Sequence, residues 1–160
     1  MANTQIIAEP GVPQLVISTE FLAPRDLLFR AYVDPDLLRQ WLGPRRMTMT
    51  IDRFDPRHGG MWRFIHSDGD DADYSFRGVF HGDPSRERIV WTFESEDFPG
   101  HICLETVTFG ERGDKTVVNQ STVYQSVEDR DAAVASGMEE GIYESMERLD
   151  ELLGRLVPVN

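Results

Sequence analysis

The side chains of this sequence that could do chemistry are few. His58, His66, His81 and His101 form no His-x-x-x-His pair, so no two imidazoles share one helical face in the way a metal site needs. Each falls at an expected strand end or turn, where a surface or rim histidine accounts for it, and no metal site is expected. Cys103 is the single cysteine, which excludes an internal disulfide and a multi-cysteine zinc site and fits a reducing cytoplasm. In mid-strand, with no helix N-terminus or basic neighbour to favour its thiolate, it is expected to be buried and inert. The acidic stretch Asp68–Asp73 lacks the spacing and closing glutamate of a calcium loop and reads as a solvated turn. No nucleophile elbow, phosphate loop or dinucleotide fingerprint occurs. Gly59-Gly60 and Gly137–Gly141 do not join a strand to a helix start at the spacing a phosphate cradle needs. No catalytic residue and no cofactor are expected from motifs.

The aromatic residues carry more information. Trp62 and Phe64 share a strand parity, as do Phe76 with Phe80 and Trp91 with Phe93, and Trp41, Phe54, Phe109 and Tyr124 join the set. They either fill a core or line an apolar cleft of the kind that binds small molecules. Glu105 and Gln120 have a parity that could bring them into the same space. A buried carboxylate is costly unless matched, so Glu105 is either exposed or paired, with Arg63 or Arg77 as the partners considered.

The elements that must position these groups are legible from period and punctuation. Gln14–Phe21 alternates and reads as a first strand. Pro24 opens a helix, Asp34-Pro35 restarts one, and Gly43-Pro44 stops it. The runs Met47–Phe54, Met61–His66, Tyr74–His81, Arg88–Glu94, Ile102–Phe109 and Thr116–Tyr124 are rich in β-branched and aromatic residues and joined by short turns. Short links favour antiparallel neighbours, giving a seven-stranded meander with the first strand included. Ser126 with Asp129 resembles a capping box. Val134, Met138, Ile142, Met146, Leu149, Leu153 and Leu156 then form one apolar stripe, predicting a continuous helix from Val127 to Leu156, roughly 45 Å long at 1.5 Å per residue. Only a curved sheet could bury so long a face. Gly137 and Gly141 each weaken that helix by about 1 kcal/mol relative to alanine, which asks for close backbone packing or for ligand space beside Met138 and Ile142. Residues 1–13, with Pro10, Gly11 and Pro13, read as a flexible leader, and 14–157 as one domain.

The sequence has 160 residues, 40% hydrophobic and 28% charged, with a net charge of −12. That balance suits one globular domain, and the charge repels phosphate backbones and argues against nucleic acid as a partner. No apolar run reaches the ~20 residues of a membrane span, and Met1–Pro10 lacks a signal pattern, so membrane insertion and secretion are disfavoured and a cytoplasmic location is expected.

Several segments in order are familiar: Phe21-Leu22-Ala23-Pro24, Trp41-Leu42-Gly43-Pro44, Gly59-Gly60-Met61-Trp62-Arg63-Phe64, Phe76-Arg77-Gly78-Val79-Phe80, Glu87–Phe93, Glu128-Asp129-Arg130 and Ser136–Gly141. Together they span about Leu15 to Leu156, and the chain resembles the activator of heat-shock-protein ATPase homologue family of the START-like (SRPBCC) superfamily. The resemblance implies an α+β helix-grip fold, a curved antiparallel sheet wrapped around a C-terminal helix with two short helices after the first strand. It implies binders of hydrophobic small molecules, polyketide cyclases or chaperone co-activators as relatives. The eukaryotic co-chaperones carry a further N-terminal domain for which the residues before Leu15 leave no room, so ATPase activation is not the expected activity. No catalytic residue transfers by match.

The expected function is binding of a small hydrophobic molecule (a lipid, an aromatic or a polyketide-like compound) in a cavity between sheet and helix. The expected lining is Trp41, Trp62, Phe64, Phe76, Phe80, Trp91, Phe93, Tyr124, Met138 and Ile142, with Glu105 and Gln120 as polar contacts. The alternatives are a cyclase, dehydratase or hydrolase using Glu105 as its acid–base group, and a protein-interaction module, chaperone-associated or homodimeric.

Overall fold

A computed structural model describes residues 2–69 and 72–157. Asp70 and Asp71, the centre of the acidic turn, lie outside the described residues. The chain forms β1 (Asn3–Ile7), β2 (Gln14–Phe21), α1 (Arg25–Val33), α2 (Pro35–Leu38), β3 (Thr48–Phe54), β4 (Met61–Ser67), β5 (Asp73–Val79), β6 (Arg88–Ser95), β7 (Ile102–Arg112), β8 (Lys115–Tyr124), α3 (Val127–Ala135) and α4 (Met138–Leu156). All strands join one sheet in the order β1-β2-β8-β7-β6-β5-β4-β3, every pair antiparallel. The sheet is curved and holds α4 against its concave face.

Two expectations need correction. The sheet has eight strands, because Asn3–Ile7 lies within the supposed leader yet pairs along Val16–Glu20 of β2. The segment shows little hydrophobic alternation, and its pairing partner rather than its own pattern makes it a strand. The second correction concerns the C-terminal helix, which is broken. Ser136 ends α3, and Gly137 takes φ 85° before α4 begins, a left-handed conformation that glycine adopts without a Cβ penalty. The apolar stripe runs through the break because Val134 and Met138 are four residues apart on either side of it. Gly141 is not pressed against the sheet either; a Cβ there would meet Pro44 at 3.5 Å, ordinary contact with the loop after α2.

Alternation decides which residues face the helix. In β7, Cys103, Glu105, Val107 and Phe109 are buried while Leu104 is exposed. Their register partners Tyr124, Thr122, Gln120 and Val118 in β8 lie on the same face, as cross-strand neighbours must. The core joins this face to Leu28, Ala31 and Tyr32 of α1, Leu37 and Leu38 of α2, and Met146, Leu149, Leu152 and Leu153 of α4. The loop after α2 is tied to α4: the Gly43 N–H donates to Ser145 Oγ at 2.9 Å, Arg148 Nη1 donates to the Gly43 carbonyl at 2.8 Å, and Arg45 pairs with Glu151 at 2.6 Å.

Candidate functional site

Burial changes along α4. Met146, Leu149, Leu152 and Leu153 are buried in the core, whereas Met138 and Ile142, two turns and one turn nearer the N-terminus on the same stripe, are only half-buried. The sheet residues Phe76, Trp91, Phe93, Gln120 and Tyr124 of the inward face are half-buried as well. The helix is therefore buried against the sheet towards its C-terminal end and only half-buried towards its N-terminal end. The Tyr124 hydroxyl donates to Met138 Sδ at 3.7 Å there.

The aromatic residues of this sheet face form a continuous ring array. Phe76 stacks on Phe93 with centroids 5.1 Å apart, and Phe93 lies 5.5 Å from Trp62. Trp62 in turn contacts Phe64 at 4.5 Å and Trp91 edge-on at 6.3 Å. Trp62, Phe64 and Phe80, beside these rings, are buried core residues. Trp41 sits elsewhere in the core: its indole N–H donates to the Ala31 carbonyl at 3.0 Å and its ring lies 4.8 Å from Tyr32. Of the twelve residues singled out from sequence, Phe76, Trp91, Phe93, Tyr124, Met138 and Ile142 are the apolar ones left half-buried.

Glu105 stands on this face, 8% exposed, directly across the β6–β7 ladder from Trp91. Neither arginine considered as its partner reaches it. Arg63 pairs with Glu96 and Asp52, and Arg77 with Glu94, all towards the outer, solvated side. The carboxylate instead accepts from the Gln120 amide, which also donates to Thr122 Oγ1 at 3.3 Å. With no cation beside it, desolvation pushes Glu105 up to about 7, opposed by the nearby Trp91 indole and by Gln120. The Trp91 N–H lies close enough to favour the anion but does not meet hydrogen-bond geometry, so its Nε1 is a buried donor without a partner among the described residues.

The neighbours of Glu105 respond to it. Burial, and secondarily the Glu105 charge, raise Tyr32 and the Cys103 thiol well above their ordinary values, so Cys103 stays a thiol rather than a nucleophilic thiolate. Tyr32 is buried on α1. Its nearness to Glu105 depends on how α1 crosses the sheet, which no local pattern encodes. His66 lies at the edge of the array, edge-on to Phe76 at 5.5 Å, and burial with the nearby Arg148 lowers its pKa.

Two recesses stand out among the described residues, of about 280 Å³ and about 330 Å³. Both open at the far end of the β7–β8 hairpin beside Asp114 and Lys115, and none of the twelve residues lines either one. Among the described residues no group of three or more His, Cys, Asp or Glu side chains could hold a metal, and no helix is long and apolar enough to cross a membrane.

A curved antiparallel sheet gripping a C-terminal helix defines a START-like helix-grip protein. Within it, the chain belongs to the Activator of Hsp90 ATPase homolog 1-like protein family, whose pattern matches residues 22–154. It is similar in structure to protein Ms6760 of Mycobacterium smegmatis (22% identity, TM-score 0.85, 96% of this chain and 97% of that one). A Rhodobacter sphaeroides protein matches at 26% identity and TM-score 0.85 over 97% of this chain and all (100%) of the other. DynU16, a protein from the dynemicin biosynthetic locus, matches at 18% identity and TM-score 0.66, covering 91% of this chain and 49% of DynU16. No curated protein matches the chain by sequence.

Proposed function

We propose that this protein binds a small, largely apolar molecule in a groove between the concave sheet face and the first turns of α4. The observation that carries this reading is the burial gradient: Met138 and Ile142 remain half-buried on the stripe that is buried from Met146 to Leu153. Tyr124 meets Met138 directly, and Phe76, Trp91 and Phe93 on the same sheet face are half-buried as well. A ligand inserted there removes apolar surface from water at roughly 25 cal/mol per Å² and stabilises the folded state by mass action. A thermal-shift screen of lipids, aromatics and polyketides is expected to yield stabilisers whose effect disappears in Ile142→Trp, which fills the groove. Flat responses across all classes would overturn the reading.

A second reading has one observation in its favour. Glu105, buried and held near pH 7, has the acid–base character that cyclisation, dehydration or hydrolysis of a bound molecule requires. It predicts turnover lost in Glu105→Gln with ligand affinity retained, whereas a pure binding protein shows no turnover to lose.

A further inference from the structure

The convex face of the sheet, opposite the one that holds α4, is short of charge. Alternation turns Leu104 outward between the buried Cys103 and Glu105, and its register neighbours Val123, Gln14 and Thr92 share that face. Ile7, Val16, Ser121, Thr106 and Val90 make the next row across the sheet. Gln5, Ser18, Asn119 and Thr108 make a third, whose first charge is Arg88 at its far end. Up to that rim the three rows hold no Asp, Glu, Lys or Arg, in a chain that is 28% charged. A solvated antiparallel face ordinarily alternates to polar residues, yet this one is apolar near its centre. Ile7, Ile102, Leu104 and Val123 are 39–49% exposed, four of the nine large hydrophobic residues left open among the described residues.

An uncharged face suits a partner of the same kind. The net charge of −12 repels nucleic acid and anionic lipid surfaces, and a basic partner finds no carboxylate here to pair with. A second copy of the chain brings a face equally free of charge and keeps its acids at a distance. α3 and α4 carry nine acidic and three basic residues, −6 of the −12. With two convex faces together, α4 of each copy lies behind its own sheet on the outer side of the pair, beyond a Debye length of about 8 Å. The size is sufficient as well. Five strands about 4.8 Å apart, over roughly eight residues at about 3.3 Å, present roughly 600 Å². Two copies then bury on the order of 1,200 Å², the lower end for a specific interface. Serine, threonine and valine between the larger side chains leave room for those of a facing sheet. We propose that two copies of this chain associate through their convex sheet faces, with Leu104, Val123, Ile102 and Val16 at the centre of the contact, as a reversible dimer of micromolar affinity. The contact uses no residue of the ligand groove and stands or falls separately from it.

Sedimentation velocity on the full chain, from about 1 to about 500 μM, should show the mass rising with concentration from 18.3 kDa towards twice that value. Because the contact is uncharged and the molecules are both acidic, raising NaCl from about 20 to about 300 mM should tighten it by about twofold or more. Leu104→Glu and Val123→Glu each place a carboxylate in the contact on both copies. Each should raise the dissociation constant about thirtyfold or more while leaving the circular dichroism of the fold unchanged. Tyr143→Glu, the same kind of change at an exposed residue of α4, should keep it within about twofold. A monomer at every concentration and salt overturns the proposal. So does a dimer that both Leu104→Glu and Val123→Glu leave intact, or one that salt dissociates. Cosedimentation of a monomer with neutral phosphatidylcholine vesicles, lost in Leu104→Glu, would assign the face to lipid and overturn the dimer equally.

Discussion

Glu105 is an acid placed where its charged form is disfavoured, and this makes stability depend on pH. Its value rises from 4.5 towards about 7 on folding, so between those limits the folded protein holds the proton more tightly than the unfolded chain. The stability linked to this site is therefore complete below about pH 4.5, declines as pH rises through 7, and stays at the lower level beyond. At about 1.4 kcal/mol per pKa unit the loss is on the order of 3 kcal/mol. Urea denaturation of the wild type and Glu105→Gln at pH 5 and pH 8 should show the variant gaining that amount relative to the wild type at the higher pH. His66 has the opposite tendency, since its lowered pKa adds stability above its unfolded value near 6.5 that is lost as pH falls. It is present in both proteins, so their difference isolates Glu105. An equal pH response in the two would show that Glu105 titrates normally. Sequence could pose the choice between an exposed and a matched Glu105 but could not choose. The true partners, Gln120 and Trp91, are set by strand register, whereas Arg63 and Arg77 were favoured only because their charge was right.

At the level of elements, side chains near α3 fasten parts distant in the chain. Ser126 Oγ accepts from the Asp129 N–H at 3.0 Å, and Ser126→Ala should cost about 1 kcal/mol of stability. Arg130, buried although charged, donates to the Glu9 carbonyl at 2.8 Å and the Gln14 carbonyl at 3.3 Å while pairing with Asp131. It thereby pins the β1–β2 connection to α3. Arg130→Met leaves two carbonyls short of a donor and should cost about 2–3 kcal/mol, read as a lowered urea midpoint; a change under 0.5 kcal/mol would mean the connection is held by other contacts. The cap was legible because Ser126 and Asp129 are local. The role of Arg130 was not, since the two carbonyls it serves lie more than a hundred residues away in sequence. The break at Gly137 was hidden for a different reason: a hydrophobic stripe records which residues point inward and is silent about a single residue leaving helical φ.

For the whole molecule, period and turn chemistry were enough to foresee a meander closed by a helix, because each alternating run is bounded by glycine, proline or aspartate. They did not fix which parity of the two-sided strands faces inward. β7 settles this, and the assignment can be checked by a matched pair of substitutions. Val107 is fully buried and Leu104 is 43% exposed, three residues apart on one strand. Val107→Thr should destabilise by about 1–3 kcal/mol through a buried hydroxyl, and Leu104→Thr should stay within about 0.5 kcal/mol; the reverse order would invert the sheet.

β1 also decides what the sheet presents at its margins. Without it, β2 would offer eight residues of open hydrogen-bonding ladder; with it, that side ends in a strand of five. The opposite margin, β3, loses register between Ile51 and Arg53 and carries Asp52 and Arg53 at the irregularity. Brevity on one side and a kinked, charged border on the other are features by which natural sheets refuse to template a further chain. The sheet is thereby kept from stacking into fibrils through its own backbone.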